Sequence, residues 1–131
     1  MKSDEELKKE NPLLYKVARE KGTETPYSGK YVNEKVEGMY KCAVCAQVLF
    51  DSKTKFSSDG QPGLAGWPSF DEALPGTVEY LEDTSAGMHR TEVICSKCKS
   101  HLGHLFEDST TKTGKHLCIN SVCLDLEKES N

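Results

Sequence analysis

No stretch of the 131-residue sequence stays apolar for more than a few positions, far short of the roughly 20 residues a membrane-spanning helix needs. Mean hydropathy is -0.60, so no membrane partner is expected. Basic residues are not in excess, with 17 Lys and Arg against 21 Asp and Glu, which argues against non-specific nucleic-acid binding. The opening MKSDEELKKE lacks the apolar core of a secretory signal, and a reducing cytoplasm is the expected setting. Low-complexity tracts are absent, and Trp67 is the only tryptophan. A chain this long buries roughly two-thirds of its unfolded surface. One domain over 1–131, with flexible ends at 1–10 and 127–131 and a modest core, is therefore expected.

What the sequence does have is six cysteines. Four form two C-x-x-C pairs, KCAVCA at Cys42 and Cys45 and ICSKCKS at Cys95 and Cys98. In a reducing compartment such pairs point to a metal site before they point to disulfides. Four thiolates satisfy tetrahedral Zn2+, and a closed four-ligand site leaves no position for chemistry on the metal. One structural zinc per chain is the expectation. A redox role for the pairs fits less well, because the βαβ pattern that hosts thioredoxin-like C-x-x-C motifs is missing.

Ser3 followed by Glu6 forms a possible capping box, and Asn11–Pro12 reads as a cap followed by a first-position proline. Leu13, Leu14, Val17 and Ala18 then make an apolar stripe at helical spacing, with Gly22 placed to end the helix. A polar connector, GTETPYSGKY, leads towards Met39. From Gln47 onward short β-like runs alternate with turn residues. The candidates are 47–50, 77–81, 90–94, 102–107 and 116–126, the last broken, which predicts a small, mainly antiparallel β fold. SSDGQPGLAG, 57–66, predicts an irregular loop.

Strand alternation puts His116, Cys118 and Asn120 on one face of HLCINS, and His104, Phe106 and Asp108 on one face of HLGHLFED. His101, three residues before His104, falls on the opposite face of a regular strand unless Gly103 lets the register break. A thiol accompanied by imidazoles and an aromatic is the minimum kit for a cysteine nucleophile. These residues alone leave thiol chemistry and a zinc-bound binding module both open. The histidines lack a paired ligand set for a second metal, and TKTGKH lacks the earlier glycine and following hydroxyl of a phosphate loop.

Taken together, EKGTETPYSGKY, CAVCAQVLF, GWPSF, RTEVICSKCKSHLGHLFED and CINS resemble the methionine sulfoxide reductase B family over about Tyr15 to Leu126. The resemblance implies two antiparallel sheets in a β-tent with short N-terminal helices and a zinc on the C-x-x-C pairs. It implies reduction of methionine-R-sulfoxide in peptides and proteins to methionine, a repair reaction that uses one enzyme per epimer. It places Cys118 as nucleophile and sulfenic acid carrier. His101, His104 and Asp108 become the polar set that positions the sulfoxide and supplies protons, and Asn120 an orienting residue. Trp67 becomes the substrate methyl contact, joined by Phe106 and His116 as candidate substrate-binding residues. Thioredoxin or another thiol is the implied reductant, and a monomer the default.

Two departures from the family stand out. The family usually has Arg two residues before the nucleophile, whereas here His116 titrates near neutrality and makes thiolate stabilisation pH-dependent. The usual resolving position before GWPSF holds Ala65 in a longer loop. Cys123 is the other candidate resolving cysteine. On one regular strand it would lie about 16 Å from Cys118, beyond disulfide reach. Direct reduction of Cys118 is therefore expected ahead of a Cys118–Cys123 disulfide, with a small-thiol detour as a third route.

Overall fold

The computed structural model describes residues 1–61 and 63–129. Pro62 of the 57–66 loop and the last two residues of the expected C-terminal end lie outside that range. Among the described residues no helix is long and apolar enough to cross a membrane.

The chain begins with two short helices, α1 (Asp4–Glu10) and α2 (Pro12–Glu20). The capping box forms as expected: Ser3 Oγ accepts from the Glu6 N–H at 3.2 Å, and Glu6 Oε1 accepts from the Ser3 N–H at 3.5 Å. Asn11 Oδ1 accepts from the Leu14 N–H at 3.1 Å, with Pro12 in the first turn. Helix α2 buries Leu14, Val17 and Ala18, while Leu13 points to solvent. It ends on Lys21 in the left-handed region (φ 58°) rather than on Gly22. The segment 1–10 is not a loose end, since α1 sinks Leu7 completely into the core.

Two antiparallel sheets follow, as the fold expectation required. The small sheet runs β2 (Val48–Asp51), β1 (Gly38–Cys42), β9 (Leu124–Lys128). The large sheet uses β3 (Lys55–Phe56), β4 (Ser69–Phe70), β5 (Val78–Asp83), β6 (Arg90–Cys95), β7 (His101–Glu107) and β8 (Lys115–Ile119), in the order β3-β4-β8-β7-β6-β5. Strand β1 was not expected. Its stretch looks polar because only Tyr40 and Cys42 face inward, in strict alternation with half-buried or exposed neighbours. The run 116–126 breaks into β8 and β9 around a 3-10 turn at Ser121–Cys123. Glu127 and Lys128, assigned to a flexible end from sequence, pair with Met39 and Gly38 in β9.

An aromatic chain joins the sheets. Phe50 of β2 stacks on Phe70 of β4 (4.3 Å between centroids), and Tyr40 of β1 meets Phe70 edge-on at 5.2 Å. All three rings are fully buried, so each adds its area to the hydrophobic term and roughly 0.5–1.5 kcal/mol of pair geometry.

Candidate active site and metal centre

The two C-x-x-C pairs sit in equivalent turns. Between β1 and β2 the Ala46 N–H donates to the Cys42 carbonyl at 2.8 Å, and between β6 and β7 the Lys99 N–H donates to the Cys95 carbonyl at 2.9 Å. The closing residues, Ala46 and Lys99, both take positive φ (67° and 62°), which curls each turn so that its two thiols point the same way. One turn belongs to each sheet, and the four buried sulfurs lie within 4.8 Å of one another. Sulfur pairs 42–98 and 45–95 are 3.7 and 3.6 Å apart. Metal–sulfur bonds of about 2.3 Å in a tetrahedron demand edges of about 3.8 Å, so these residues fit a structural metal that fastens one sheet to the other. The Ser100 hydroxyl, 3.1 Å from Cys98 Sγ, and the Gln47 side-chain N–H, 3.5 Å from Cys95 Sγ, are available to donate to the thiolates.

The remaining predicted residues gather on the large sheet. Cys118 of β8 lies between Ser69 of β4 and His104 of β7 in the strand register. It is partly exposed at a small cavity of about 70 Å3 lined by Thr23, Gly63, Trp67, Arg90, Gly103, His104, Phe106, Cys118 and Asn120. A larger groove of about 520 Å3, formed by 32–37 and 52–59, holds no cysteine or histidine.

Gly103 does what its position suggested. Between β6 and β7 the register slips, with His101 opposite Ile94 and Gly103 opposite Val93, so β7 carries an extra residue and turns His101 to the face of His104. Their rings come within 5.3 Å. A Cβ at 103 would run into the Cys118 carbonyl, so glycine also sets how closely β7 approaches the thiol strand.

Each histidine is held by a carboxylate that sequence reasoning did not single out. His101 donates from Nδ1 to Glu92 Oε2 at 2.7 Å, and His104 from Nε2 to Asp83 Oδ2 at 2.7 Å. The His104 hydrogen bond holds Asp83 well below the usual carboxylate range. Burial lowers the His101 pKa, with Glu92 pulling the other way, and its Nε2 has no partner. Glu92 on β6 and Asp83 on β5 carry no mark in the sequence; only the β5–β6–β7 pairing aims them at the histidines. Asp108 does not join this pair. It accepts from Thr110 and faces His116 Nδ1 at 3.1 Å, while His116 Nε2 meets Ser69 Oγ at 2.7 Å.

Glu24 is the third acid missed. Its carboxylate accepts from the Ser121 and Val122 N–H groups at 2.7 and 2.9 Å, its N–H donates to Asn120 Oδ1 at 2.9 Å, and its carbonyl accepts from the Trp67 indole at 3.0 Å. Asn120 closes the set by donating to the Leu102 carbonyl at 3.0 Å. One buried acid on the connector after α2 thus ties Trp67 and Asn120 to the end of β8. Burial, and then the charge of Glu24, push the Cys118 thiol up to about 12. Cys123, at the end of the 3-10 turn, is buried and donates to the His101 carbonyl at 3.4 Å.

An antiparallel β fold, four clustered thiols that fit a metal, and a pocket thiol backed by two carboxylate-held histidines are the features that define the molecule. The SelR domain family matches residues 11–128, and the chain belongs to that family, the oxidoreductases known as MsrB. It is 54% identical over 117 residues to a peptide methionine sulfoxide reductase MsrB of Pseudomonas savastanoi pv. phaseolicola, covering 88% of this chain and 86% of that one. It is 51% identical over 130 residues to the MsrB of Methanosarcina barkeri, covering 98% and 88%. It is 47% identical over 124 residues to the mouse mitochondrial methionine-R-sulfoxide reductase B3, covering 93% of this chain and 47% of that one. Among solved structures, the Mis18 Yippee-like domain shares the fold alone: TM-score 0.53, 17% identity, 72% of this chain and 99% of that one.

Proposed function

We propose that the protein reduces methionine-R-sulfoxide in peptides and proteins, with Cys118 as the attacking thiol. The observation that carries this is the coincidence, in one small cavity, of a partly exposed thiol, an aromatic wall and the carboxylate-held His104, with the carboxylate-held His101 packed behind it. About 70 Å3 is well below the size of ordinary small-molecule pockets and suits the end of one side chain. Trp67 and Phe106 offer apolar surface to the methyl and methylene groups, and the His104 imidazole faces the sulfoxide oxygen with His101 next to it.

The proton balance fits the raised thiol pKa. The sulfur of Cys118 takes the sulfoxide oxygen, the S–O bond of the substrate breaks, and methionine leaves. The thiol proton ends on the oxygen, giving the sulfenic acid of Cys118. The step needs no net proton from solvent, so a thiol held protonated at rest brings the proton that the leaving oxygen requires. His101, with a free Nε2, and His104 move it. Two thiols of a reductant then return Cys118 to the thiol, forming their disulfide and releasing water. Direct attack by thioredoxin or a similar thiol is the favoured route, because Cys118 opens to the cavity while Cys123 is about 1% exposed. The turn at Ser121–Cys123 removes the extended-strand spacing as an obstacle, and a Cys118–Cys123 disulfide would instead need Cys123 to leave the core. Zinc is the metal proposed for the four thiolates, and a reducing cytoplasm suits six free cysteines.

The test is a dithiothreitol-driven assay offering peptide R- and S-sulfoxides separately. Turnover of the R epimer that is lost in Cys118→Ser, with the fold retained, is expected. Turnover surviving in Cys118→Ser would overturn the assignment.

A further inference from the structure

We propose that the open outer face of the β5–β6 hairpin, where Leu81 and Met88 flank Arg90, is a subsite for substrate polypeptide. It takes an apolar side chain two residues from the sulfoxide in an extended chain. This rests on the cavity at Cys118 holding the sulfoxide end. Strand pairing sets the layout: Cys118, His104, Glu92 and Leu81 lie in one row across β8, β7, β6 and β5. Arg90, paired with Asp83, falls opposite Phe106 in the next row. Both rows are on the face turned away from the buried Leu117 and Val93. Met88 is extended (φ -109°, ψ 149°), and His89 turns to the other face to meet Glu82 at 3.3 Å, so Met88 shares the face of Arg90. Over β8 and β7 this face is covered, yet Leu81 and Met88 are 46% and 50% exposed.

The spacing matches an extended ligand. Two residues of β6 put Met88 about 7 Å from Arg90, and the diagonal across β5 and β6 puts Leu81 about 7–8 Å from it. A peptide whose sulfoxide side chain enters the cavity turns the side chains two positions away towards the same surface, again about 7 Å along. Arg90 lines the cavity, so that next side chain arrives over the Arg90 methylenes, between Leu81 and Met88. The guanidinium is drawn aside, with Nη2 3.6 Å from Asp83 Oδ2, which leaves its apolar stem as the floor. Its Nε has no partner.

The size of the cavity says what lies here. About 70 Å3 admits the end of one side chain, and the rest of the substrate must rest on whatever adjoins the mouth. Thr23 and Gly63 on the other lip offer a short hydroxyl side chain and none at all. Among the described residues no carboxylate on the strip is free. Asp83 accepts from His104 and from the Ser85 N–H, Glu92 is held by His101 and Lys21, and Asp108 by Thr110 and His116. The strip therefore suits an apolar side chain and offers a lysine nothing to pair with.

The experiment offers the full, zinc-loaded chain glycine-rich peptides of methionine-R-sulfoxide with Leu, Ser or Lys two positions to either side. Leucine on one side should raise kcat/KM roughly fivefold to tenfold over serine, chiefly through KM, and lysine should fall below serine. Leu81→Ser combined with Met88→Ser should bring the leucine-to-serine ratio to about one; a ratio cancels any loss of folding or catalysis common to both peptides. In Cys118→Ser protein, NMR should show the Leu81 and Met88 methyls shifting with the leucine peptide and not with the serine peptide. No leucine preference in the unmodified protein, or one that survives the double substitution, overturns the subsite. So does a double variant slowed only when thioredoxin replaces dithiothreitol, which would give the strip to the reductant. Methyl shifts with neither epimer reduced would refute the enzymatic reading and leave the subsite standing, whereas turnover with equal ratios and no shifts would do the reverse.

Discussion

Glu92 and His101 share a 2.7 Å hydrogen bond in which neither side chain is more than 3% exposed. Lys21 reaches the other Glu92 oxygen at 3.2 Å, so the imidazole is held through Nδ1 and its Nε2 is left buried without a partner. Glu92→Gln keeps the shape and removes the charge that raises the His101 pKa. The imidazolium becomes harder to form, so kcat for R-sulfoxide reduction should fall roughly tenfold or more, and any acid limb set by His101 should move to lower pH. A pH–rate profile identical to that of the unmodified protein would remove Glu92 from this role.

Gly103→Ala places a methyl against the Cys118 carbonyl. Backbone on both sides of the contact leaves no flexible group to yield, and overpacking of this kind costs about 1–3 kcal/mol. Urea unfolding should show that loss, and turnover should fall with it because the His101–His104 register depends on the same bulge.

Removing the metal should be a stability event first. The four sulfurs bring β1–β2 of one sheet and β6–β7 of the other to one point, and the binding energy of a metal held there is part of folding. Chelation, or Cys95→Ser, should lower the melting temperature by at least about 10 °C, since each kcal/mol is worth several degrees in a domain of this size. Elemental analysis of the native protein should find about one zinc per chain, as a closed four-ligand site requires.

Acid should destabilise the fold in two stages. Burial keeps His101 and His116 below their usual 6.5, so as pH falls below that value the unfolded chain takes up protons that the folded one refuses, and stability drops. Asp83 is held below the ordinary carboxylate range and Asp108 at about 2. Their contribution is present above the ordinary 3.8 and is lost as pH falls further, through about 2 for Asp108. Denaturant midpoints from pH 8 to 3 should therefore decline first below about 6.5 and again below about 4. A flat profile between 7 and 5 would mean the two histidines are not held neutral.

Much of this was legible along the chain because it is set by local chemistry. Ser3 with Glu6, and Asn11 with Pro12, satisfy helix-end donors within four residues, so the caps were readable. The two C-x-x-C turns carry their own geometry. Gly103 signalled the bulge, because a strand glycine marks backbone irregularity or close approach. What failed was the end of α2, where Lys21 accepts the left-handed conformation beside the available Gly22, and β1, whose pairing comes wholly from β2 and β9.

The sequence by itself determined the motif set: four cysteines in two C-x-x-C pairs, a thiol alternating with His116 and Asn120, and the pair His101 and His104. Only the tertiary structure decided what those residues face. Glu92, Asp83 and Glu24 lie 9, 21 and 96 positions from the side chains or backbone groups they hold, and no local pattern distinguishes them from surface acids. Strand pairing brings them there, burial strengthens each contact by excluding water, and the same burial sets the proton affinities of Cys118 and His116.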